Sequence, residues 1–433
     1  MSAAPSIAIV GSGPAGFFAA DALARKLPHA TIDILDRLPT PYGLVRAGVA
    51  PDHQGTKGVA RLFERSAKHP KMRFLGNVEV GRDVAYDELK AIYDVVVIAT
   101  GALVDRKLGV PGEDLPGLYG SWRFVGWLNG HPHAEALDPP LAGPGVAVIG
   151  NGNVALDCAR VLAKTTSEMA KSDLGRHARD ALAATRITDL YLVGRRGPVE
   201  ASFSPFELSE LGTLEACAPL LDGAALEREI AAAEPEALKA KEKVLEIFRG
   251  FAKNAPDAKP VRLHFMFRAR PVAFLGGARL EAIELETPAG RLQIPVASAI
   301  TAIGYGAVPI PGMPFDARAG TARNDGGRIE PGVYAVGWIA RGPSGTIPTN
   351  RTDGIAAAER IAADLAAAGP GAKPGPAGLD ALLAARGVEP VSFEEWKAID
   401  AAEIARAEAG RPREKFTRIE DMLALRRARQ GNA

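Results

Sequence analysis

The sequence has very little cysteine and no excess of charge of either sign. Cys158 and Cys217 are its two cysteines, so nothing resembles a disulfide framework or a redox-active Cys-x-x-Cys pair. Two thiols also cannot hold an iron–sulfur cluster alone, and any electron-carrying cofactor of this chain is therefore organic. The formal net charge of +1 provides no global field that would favour nucleic acid or an anionic membrane.

Long hydrophobic runs are missing as well. No stretch reaches the roughly 18 to 20 apolar residues of a membrane span. No secretory signal or Arg-rich transit peptide opens the chain, since Met1 to Ser6 is short and the apolar run after it is typical of a strand. We therefore expect a cytoplasmic protein. The 433 residues, of which 47% are hydrophobic and 24% charged, suit a soluble protein of two domains.

A glycine-rich turn follows the first apolar run. The sequence GSGPAG, Gly11 to Gly16, matches G-x-G-x-x-G and joins a predicted strand to a predicted helix, Pro14 to Leu27. In such a turn Gly11 makes the tight bend, Gly13 lets the backbone approach a pyrophosphate, and Gly16 lets the helix pack against the sheet. The free N–H groups of the helix N-terminus then face the phosphates.

The next strand of this unit, Thr31 to Leu35, is followed by Asp36. An acid at this point is expected to accept hydrogen bonds from a ribose. Pro14-Ala15 after the second glycine is a common flavoprotein variant. An apolar strand ending in Ala-Thr-Gly, as at 97–101, recurs where flavoproteins with two dinucleotides cross between domains. The first unit is therefore interpreted as a site for FAD.

A second unit of the same type begins at Gly145. Its turn, GNGNVA from Gly150 to Ala155, matches G-x-G-x-x-A and again joins a strand to a helix. The second strand of this unit runs into Arg195-Arg196, where the first unit has an acid. A carboxylate would repel a 2′-phosphate, whereas guanidinium groups bind it bidentately. The arginine pair therefore favours NADP over NAD.

These motifs together resemble those of adrenodoxin-reductase-type ferredoxin–NADP+ reductases, which are related to the glutathione-reductase-like flavoproteins. The resemblance is carried by GSGPAG, GNGNVALD, VGRRGP, FELSEL and GWIARGPSGTIPTN, and it runs over nearly the whole chain, including the tail. Gly337-Trp338 is an especially specific segment, because most related flavoproteins have Gly-Asp there. Without a transit peptide, the sequence looks like a bacterial member.

The resemblance implies site residues, position by position. Those implied to contact FAD are Ala15, Asp36, Leu44, Val80 and Trp338, with Gly345, Thr346 and Ile347 at the flavin ring and Gly345 also near the nicotinamide. Those implied to contact NADP are Asn151, Gly152, Asn153, Val154, Arg195, Arg196 and Glu207, next to Gly150 of the turn. The family usually has Glu in place of Asp36, and the shorter Asp suggests a ribose contact through water. A predicted helix, Gly354 to Ala368, would aim its N-terminus at the flavin and stabilise charge on the reduced ring.

The resemblance also implies an active-site ion pair between His53 and Glu210, which would tune polarity near the nicotinamide. Glu207 and Glu210 lie three residues apart on one predicted helix face. The other histidines look scattered, and His131-Pro132-His133, in a Pro-rich loop, is expected to be a surface turn. No Ser-His-Asp or metal-binding constellation stands out, so the chemistry is assigned to the cofactors.

The fold that follows is α/β, with two Rossmann-like dinucleotide-binding domains. The NADP domain, residues 102–304, is predicted to be inserted into a discontinuous FAD domain, residues 1–101 and 305–433. The chain would return through AIGYG, residues 302–306, to complete the FAD site.

The function implied by the resemblance is a reductase that passes a hydride from NADPH to FAD and then single electrons to an iron–sulfur ferredoxin. Ferredoxins are acidic, so a transient complex needs a basic surface. Two runs offer one, namely Arg61, Arg65, Lys68, Lys71 and Arg73, and Lys239, Lys241, Lys243 and Arg249.

Other functions stay open at this point. One alternative is an NADPH diaphorase or a glutamate-synthase-like electron-input subunit with another acceptor, although the N-terminal Cys clusters of the latter are missing. A flavin-binding regulatory or structural protein without turnover is another, and the intact glycines and arginine pair argue against it.

Overall fold

The computed structural model describes residues 4–134, 136–139, 141, 143–369, 371 and 373–430. The first three and the last three residues of the predicted FAD domain lie outside these described residues. The strands are β1 (Ser6–Val10), β2 (Thr31–Leu35), β3 (Met72–Leu75), β4 (Val95–Ile98), β5 (Val104–Asp105), β6 (Leu118–Gly120), β7 (Gly145–Ile149), β8 (Asp189–Val193), β9 (Cys217–Leu220), β10 (Val261–Met266), β11 (Arg270–Leu275), β12 (Ala282–Thr287), β13 (Gly290–Pro295), β14 (Ser298–Thr301), β15 (Tyr305–Gly306), β16 (Phe315–Asp316), β17 (Thr321–Ala322), β18 (Arg328–Glu330) and β19 (Val333–Ala335).

The helices are α1 (Pro14–Lys26), α2 (Leu44–Ala47), α3 (Gln54–Lys57), α4 (Ala60–Ala67), α5 (Tyr86–Ile92), α6 (Ser121–Leu128), α7 (Asn153–Ala163), α8 (Arg176–Ala183), α9 (Pro205–Leu211), α10 (Gly223–Ala231), α11 (Pro235–Phe251), α12 (Trp338–Arg341), α13 (Thr349–Ala368), α14 (Gly375–Ala385), α15 (Phe393–Ala405) and α16 (Ile419–Gln430). In the described part of the chain, no helix combines the length and the apolar content needed to cross a bilayer.

The first sheet contains the first glycine turn. Its strand order is β18-β19-β4-β1-β2-β3, and all neighbours are parallel except β18 and β19. β1 and β4 are unbroken runs of buried residues, as expected of central parallel strands covered on both faces. α1 and α13 pack closely against each other. The carboxyl ends of β1, β2 and β4 therefore open at one edge, where a dinucleotide binds in folds of this kind.

The second sheet contains the second glycine turn. Its order is β6-β14-β7-β8-β10-β9, and every neighbouring pair is parallel. A three-stranded antiparallel sheet, β11 to β13, accompanies it. Phe203, Phe248, Phe251 and Phe265 form a mutually packed aromatic cluster in its core. The predicted pair of Rossmann-like units is therefore confirmed.

The two connections between the units run side by side. β5, on the way into the second unit, pairs antiparallel with β15, on the way out. The backbone N–H of Arg106 also donates to the carbonyl oxygen of Gly304 at 3.1 Å. Because the first sheet takes strands from both sides of this crossing, the second unit is inserted into the first, as predicted. The boundaries at 102 and 304 stay a prediction.

Candidate active site

The first glycine turn has the backbone geometry that its sequence predicts. Gly11 has a φ of +108°, and a Cβ there would lie 2.5 Å from the carbonyl oxygen of Ala99. A Cβ on Gly16 would lie 1.9 Å from the carbonyl oxygen of Gly11, so a glycine is required for α1 to start this close to β1. Among the described residues, no side chain caps the N-terminus of α1. Its first backbone N–H groups therefore remain available to an anionic ligand.

A cavity of about 570 Å³ opens beside this turn, and we call it the dinucleotide cavity. Most of the residues predicted for FAD line it, namely Gly11, Gly13, Ala15, Asp36, Leu44, Val80, Trp338, Gly345, Thr346 and Ile347. Gly16, which is also predicted for this site, is buried within α1 instead. Segments far apart in the sequence thus meet around one cavity whose size suits a nucleotide cofactor.

The Asp36 carboxylate accepts hydrogen bonds from the first glycine turn itself. Its Oδ2 accepts hydrogen bonds from the backbone N–H of Ser12, at 3.0 Å, and from the Ser12 hydroxyl, while its Oδ1 accepts one from the N–H of Leu38 at 3.0 Å. The carboxylate therefore stabilises the turn, and it keeps further acceptor capacity on a residue that lines the cavity. A ribose contact through water stays a prediction.

Two observations test whether this cavity fits FAD. The hydroxyl oxygen of Thr100 is buried at the cavity wall and has no hydrogen-bond partner within the described part of the chain. Leaving a buried polar group unpaired is costly, so this atom is suited to a polar ligand. A Cβ on Gly43 would lie 2.9 Å from the Cα of Gly13, which shows how closely two backbones meet beside the turn. The residues present therefore fit a long ligand that carries a pyrophosphate, as FAD does.

Trp338 and the start of α13 form a further part of the cavity wall. The Trp338 indole stacks on the ring of Tyr305, with centroids 6.0 Å apart and planes 23° apart, and its Nε1 donates to the Ser344 carbonyl at 2.9 Å. α13 begins at Thr349, earlier than predicted, where the Thr349 hydroxyl accepts a hydrogen bond from the N–H of Thr346 at 3.0 Å. The predicted helix N-terminus is therefore present at the cavity.

The histidine turn after α6 contradicts its prediction at one of its two histidines. His131 is only 8% exposed and lines the dinucleotide cavity, so the expected surface position is wrong for this residue, whereas His133 is exposed. Its backbone N–H donates to the Gly126 carbonyl at 2.8 Å, and Pro132–Ala134 continue as a 3-10 turn. The loop is therefore folded back against α6. Proline and histidine are typical of exposed loops, and local composition could not reveal that packing buries His131.

The second glycine turn is closed by residues from before α9. The N–H of Ser202 donates to the Asn151 carbonyl at 2.7 Å, and the N–H of Ser204 donates to the Asn153 side chain at 2.8 Å. A Cβ on Gly150 would lie 2.4 Å from the Ala302 carbonyl oxygen, whereas one on Gly152 would meet nothing within 4 Å. The turn is therefore tight at its first glycine and open at its second, where a pyrophosphate would approach.

Arg195 and Arg196 lie beside this turn. Both are exposed, and neither guanidinium has an ion-pair or hydrogen-bond partner among the residues that the structure describes. The Asn151 side chain donates from Nδ2 to the Arg196 carbonyl at 3.2 Å and ties the arginines to the turn, while its Oδ1 is buried without a partner in the same described set. By contrast, nearby Arg268 is paired with Glu229 at 2.7 Å. Arg195 and Arg196 thus remain free for an anion.

His53 and Glu210 are brought together as predicted. The His53 Nε2 lies 3.1 Å from a Glu210 carboxylate oxygen and 3.5 Å from one of Glu207. Its Nδ1 lies 3.7 Å from Asp157, on the helix that begins at the second glycine turn. The pair therefore joins a loop of the first unit to two helices of the inserted one.

Arg160 is a residue that the sequence interpretation missed. Its guanidinium is fully buried and lies within 3.3 Å of the carboxylates of Asp52, Asp157, Glu207 and Glu210. Burial alone would raise the pKa of Asp52, but hydrogen bonds from Arg160 and Lys164 outweigh it and hold that pKa well below its usual range. These partners are far apart in the sequence, and the one available signal was Asp157 within GNGNVALD.

The pKa of one acid beside His53 is shifted upwards. Burial raises the pKa of Glu207, with further upward contributions from Asp157 and Glu210 against opposing ones from His53 and Arg160. His53, Glu207 and Glu210 offer ligand atoms that lie within 4.8 Å of one another. Arg160 already supplies a cation to two of these three side chains, so the group is balanced by the protein's own charge.

Comparison with known proteins agrees with this geometry. A family model described as pyridine nucleotide-disulphide oxidoreductase matches residues 5–358. Because that match spans most of the chain, the protein belongs to this family of oxidoreductases, and the predicted class of enzyme and fold is confirmed.

Individual relatives define the type of oxidoreductase more narrowly than the family model does. The chain is 41% identical to the NADPH-ferredoxin reductase FprA of Mycobacterium tuberculosis, over 97% of this chain and 98% of that protein. It is 39% identical to the mitochondrial NADPH:adrenodoxin oxidoreductase of Arabidopsis thaliana, over 96% and 94%. The solved structure of M. tuberculosis FprA in complex with NADPH has a TM-score of 0.92 at 39% identity, covering 97% and 99% of the two chains. The resemblance to adrenodoxin-reductase-type enzymes is therefore confirmed.

Proposed function

We propose that this protein is an FAD-dependent NADPH–ferredoxin reductase. The observation that carries the proposal is a pair of glycine turns with opposite charges beside them. Asp36 stands at the first turn, where a ribose is recognised. The unpartnered Arg195 and Arg196 stand at the second, where a 2′-phosphate favours guanidinium groups over an acid.

FAD is proposed to lie in the dinucleotide cavity. When bound, it supplies the conversion between a two-electron donor and a one-electron acceptor. The N–H groups at the start of α1 would bind its pyrophosphate, and the positive end of α13 would face the flavin. Trp338, held by Tyr305 and Ser344, would exclude water from the ring. The proposed FAD residues are Gly11, Gly13, Ala15, Gly16, Asp36, Leu44, Val80, Trp338, Gly345, Thr346 and Ile347.

NADP(H) is proposed to bind at the second glycine turn. Its residues would be Gly150, Asn151, Gly152, Asn153, Val154, Arg195, Arg196 and Glu207. His53 and Glu210 are proposed as the active-site pair that sets the polarity beside the nicotinamide. Their 3.1 Å contact, one turn from the start of α7, supports that placement.

The electron acceptor is proposed to be an acidic iron–sulfur ferredoxin in a transient complex. In the first basic run, Arg73 pairs with Asp33 at 2.7 Å and is not available. Arg61 and Arg65 remain exposed and without an ion-pair partner in the described chain, as do Lys239 and Lys243 in the second run. Lys71 is likewise exposed and without an ion-pair partner in the described chain, so the first run keeps three cations and the second run two that can meet an acidic partner.

The cellular setting and the domain boundaries complete the proposal. Cys158 and Cys217 are both buried free thiols, which supports a reducing cytoplasm. The FAD domain is proposed to span residues 1–101 and 305–433, and the NADP domain residues 102–304. The pairing of β5, two residues after the first limit, with β15, directly after the second, supports these limits.

Anaerobic mixing with NADPH tests the reductase proposal. The yellow absorbance of the bound cofactor is expected to bleach on mixing, because the protein aligns both nucleotides for hydride transfer. Adding a ferredoxin and cytochrome c should then give sustained cytochrome reduction that depends on the ferredoxin. A cofactor that stays yellow would contradict the reductase proposal. Bleaching followed by cytochrome reduction that ignores ferredoxin would favour a diaphorase.

A further inference from the structure

The dinucleotide cavity is not built from the first unit alone. His131, with Trp122, Gly126, Asn129 and Gly130, reaches it from α6 and the following loop, which belong to the inserted segment. The imidazole of His131 packs edge-on against the Trp122 ring, with centroids 5.3 Å apart. Gly126 lies directly beside it, since a Cβ there would be in van der Waals contact with the His131 Cβ at 3.4 Å. The ring is therefore held in one position at the cavity wall.

The hydrogen bonding of His131 fixes where its proton sits. Its Nδ1 accepts a hydrogen bond from the backbone N–H of His133 at 3.1 Å. A neutral imidazole that accepts at Nδ1 carries its proton on Nε2. Nε2 has no hydrogen-bond partner among the described residues, and it is not one of the fully enclosed polar atoms. An N–H donor is thus left without a protein acceptor on a residue that lines the cavity.

The surroundings keep this imidazole neutral. Burial lowers the pKa of His131 to about 3, and the charges of His133, Arg37 and Arg46 act in the same direction. The proton on Nε2 is therefore retained as a neutral donor across the physiological range. The lining of the cavity places this ring among the proposed FAD residues. Arg37, directly after Asp36, and Glu79, directly before Val80, line the same cavity as His131.

We propose that His131 is an FAD-binding residue supplied by the inserted segment, donating from Nε2–H to the adenosine half of FAD. The inference rests on the proposed FAD site and adds to it a residue outside both glycine turns. It also means that FAD contacts both units of the fold, so that its binding helps to hold the inserted unit in place.

Two substitutions, His131→Asn and His131→Gln, distinguish the contribution of the Nε2–H donor from that of the rest of the imidazole. Asn at position 131 places an acceptor near the Nδ1 position, for the His133 N–H, and nothing near Nε2. Gln places an amide N–H near the Nε2 position. FAD and ADP are titrated into the full-length protein stripped of its flavin, and binding is followed by fluorescence for FAD and by calorimetry for ADP.

His131→Asn is expected to weaken both ligands roughly tenfold, the value of one hydrogen bond, while His131→Gln stays within about threefold of wild type. His133→Gln, the neighbouring control, should change affinity by less than about twofold. The melting temperature of the FAD-free protein should be the same in all variants.

Unchanged FAD affinity in His131→Asn would overturn the inference while leaving the reductase proposal intact. Equal losses of FAD affinity in His131→Asn, His131→Gln and His133→Gln, together with a lowered melting temperature of the FAD-free protein, would also overturn it. The loop would then have a purely structural role. A loss of affinity for FAD without a loss of affinity for ADP would show that His131 does not bind the adenosine half. Wild-type protein that binds no FAD would instead defeat the reductase proposal itself.

Discussion

Removing Arg195 and Arg196 should convert the preferred nucleotide from NADPH towards NADH. Both guanidinium groups are exposed and unpartnered in the described chain, so neither has to give up an existing ion pair to bind a phosphate. A charge-assisted hydrogen bond contributes about 1.5–3 kcal/mol, and exposure to solvent places these at the lower end. Each Arg→Ala substitution should therefore lower kcat/KM for NADPH by roughly tenfold, which corresponds to about 1.4 kcal/mol.

The double variant should lose roughly 100-fold in kcat/KM for NADPH and change by less than about twofold for NADH, if the two contacts are independent. Ferricyanide as acceptor keeps ferredoxin docking out of the measurement. Arg270→Ala is the matched control, because Arg270 is also exposed in the inserted segment but is already paired with Glu286. An unchanged ratio of kcat/KM for NADPH to that for NADH in the double variant would refute the 2′-phosphate assignment.

Two further outcomes are expected. Burial opposes ionisation of Asp173, yet Lys415 and Lys57 outweigh it and lower its pKa from 3.8 to about 2, so its contribution to stability is present above about pH 4 and is lost as the pH falls from 4 to 2. Urea unfolding should accordingly show that, between pH 7 and pH 2, the free energy of unfolding falls by up to about 2 kcal/mol less in Asp173→Asn than in wild type. An equal fall in both proteins would contradict this reasoning. His53→Gln should keep its FAD but slow flavin reduction by NADPH in stopped flow by roughly tenfold, whereas an unchanged rate would show that the pair with Glu210 is only structural.

The parts of the fold that the sequence predicted well are those whose cause is local. The strand before Gly11 and the helix after it are specified by four apolar residues, three glycines and an alanine-rich run, all within one βαβ unit. The arginines at 195 and 196 could be assigned for the same reason, since their position relative to the second strand is set by the motif. The start of α13 was placed too late, because the helix begins at Thr349 in a polar segment whose composition does not indicate a helix.

The parts that the sequence did not predict depend on partners far along the chain. Arg160 takes its counter-charges from Asp52 and from Glu207, 108 and 47 residues away. Arg46, at the cavity wall, is held by a fully buried Glu403, 357 residues away, and lies over the Trp396 ring. Periodicity and composition carry no information about such pairs. The burial of His131 was also missed, since it depends in part on packing against Trp122 of α6, nine residues earlier in the chain.

A buried charge network joins the two units and the tail. Lys57 of the first unit and Lys415 of the tail each lie 2.7 Å from Asp173 of the inserted segment, and both donate to the side-chain oxygen of Asn129. Burial lowers the pKa of both lysines, and two like charges in one dry site are tolerated only while their shared carboxylate is in place. If Asp173 moved away with the inserted unit, both ammonium groups would be left without it. The network therefore favours one arrangement of the two units. Asn129 also lines the dinucleotide cavity, so the charges that fix this arrangement also hold a residue of the cavity wall in place. Hydride transfer between cofactors on different units requires such fixed alignment.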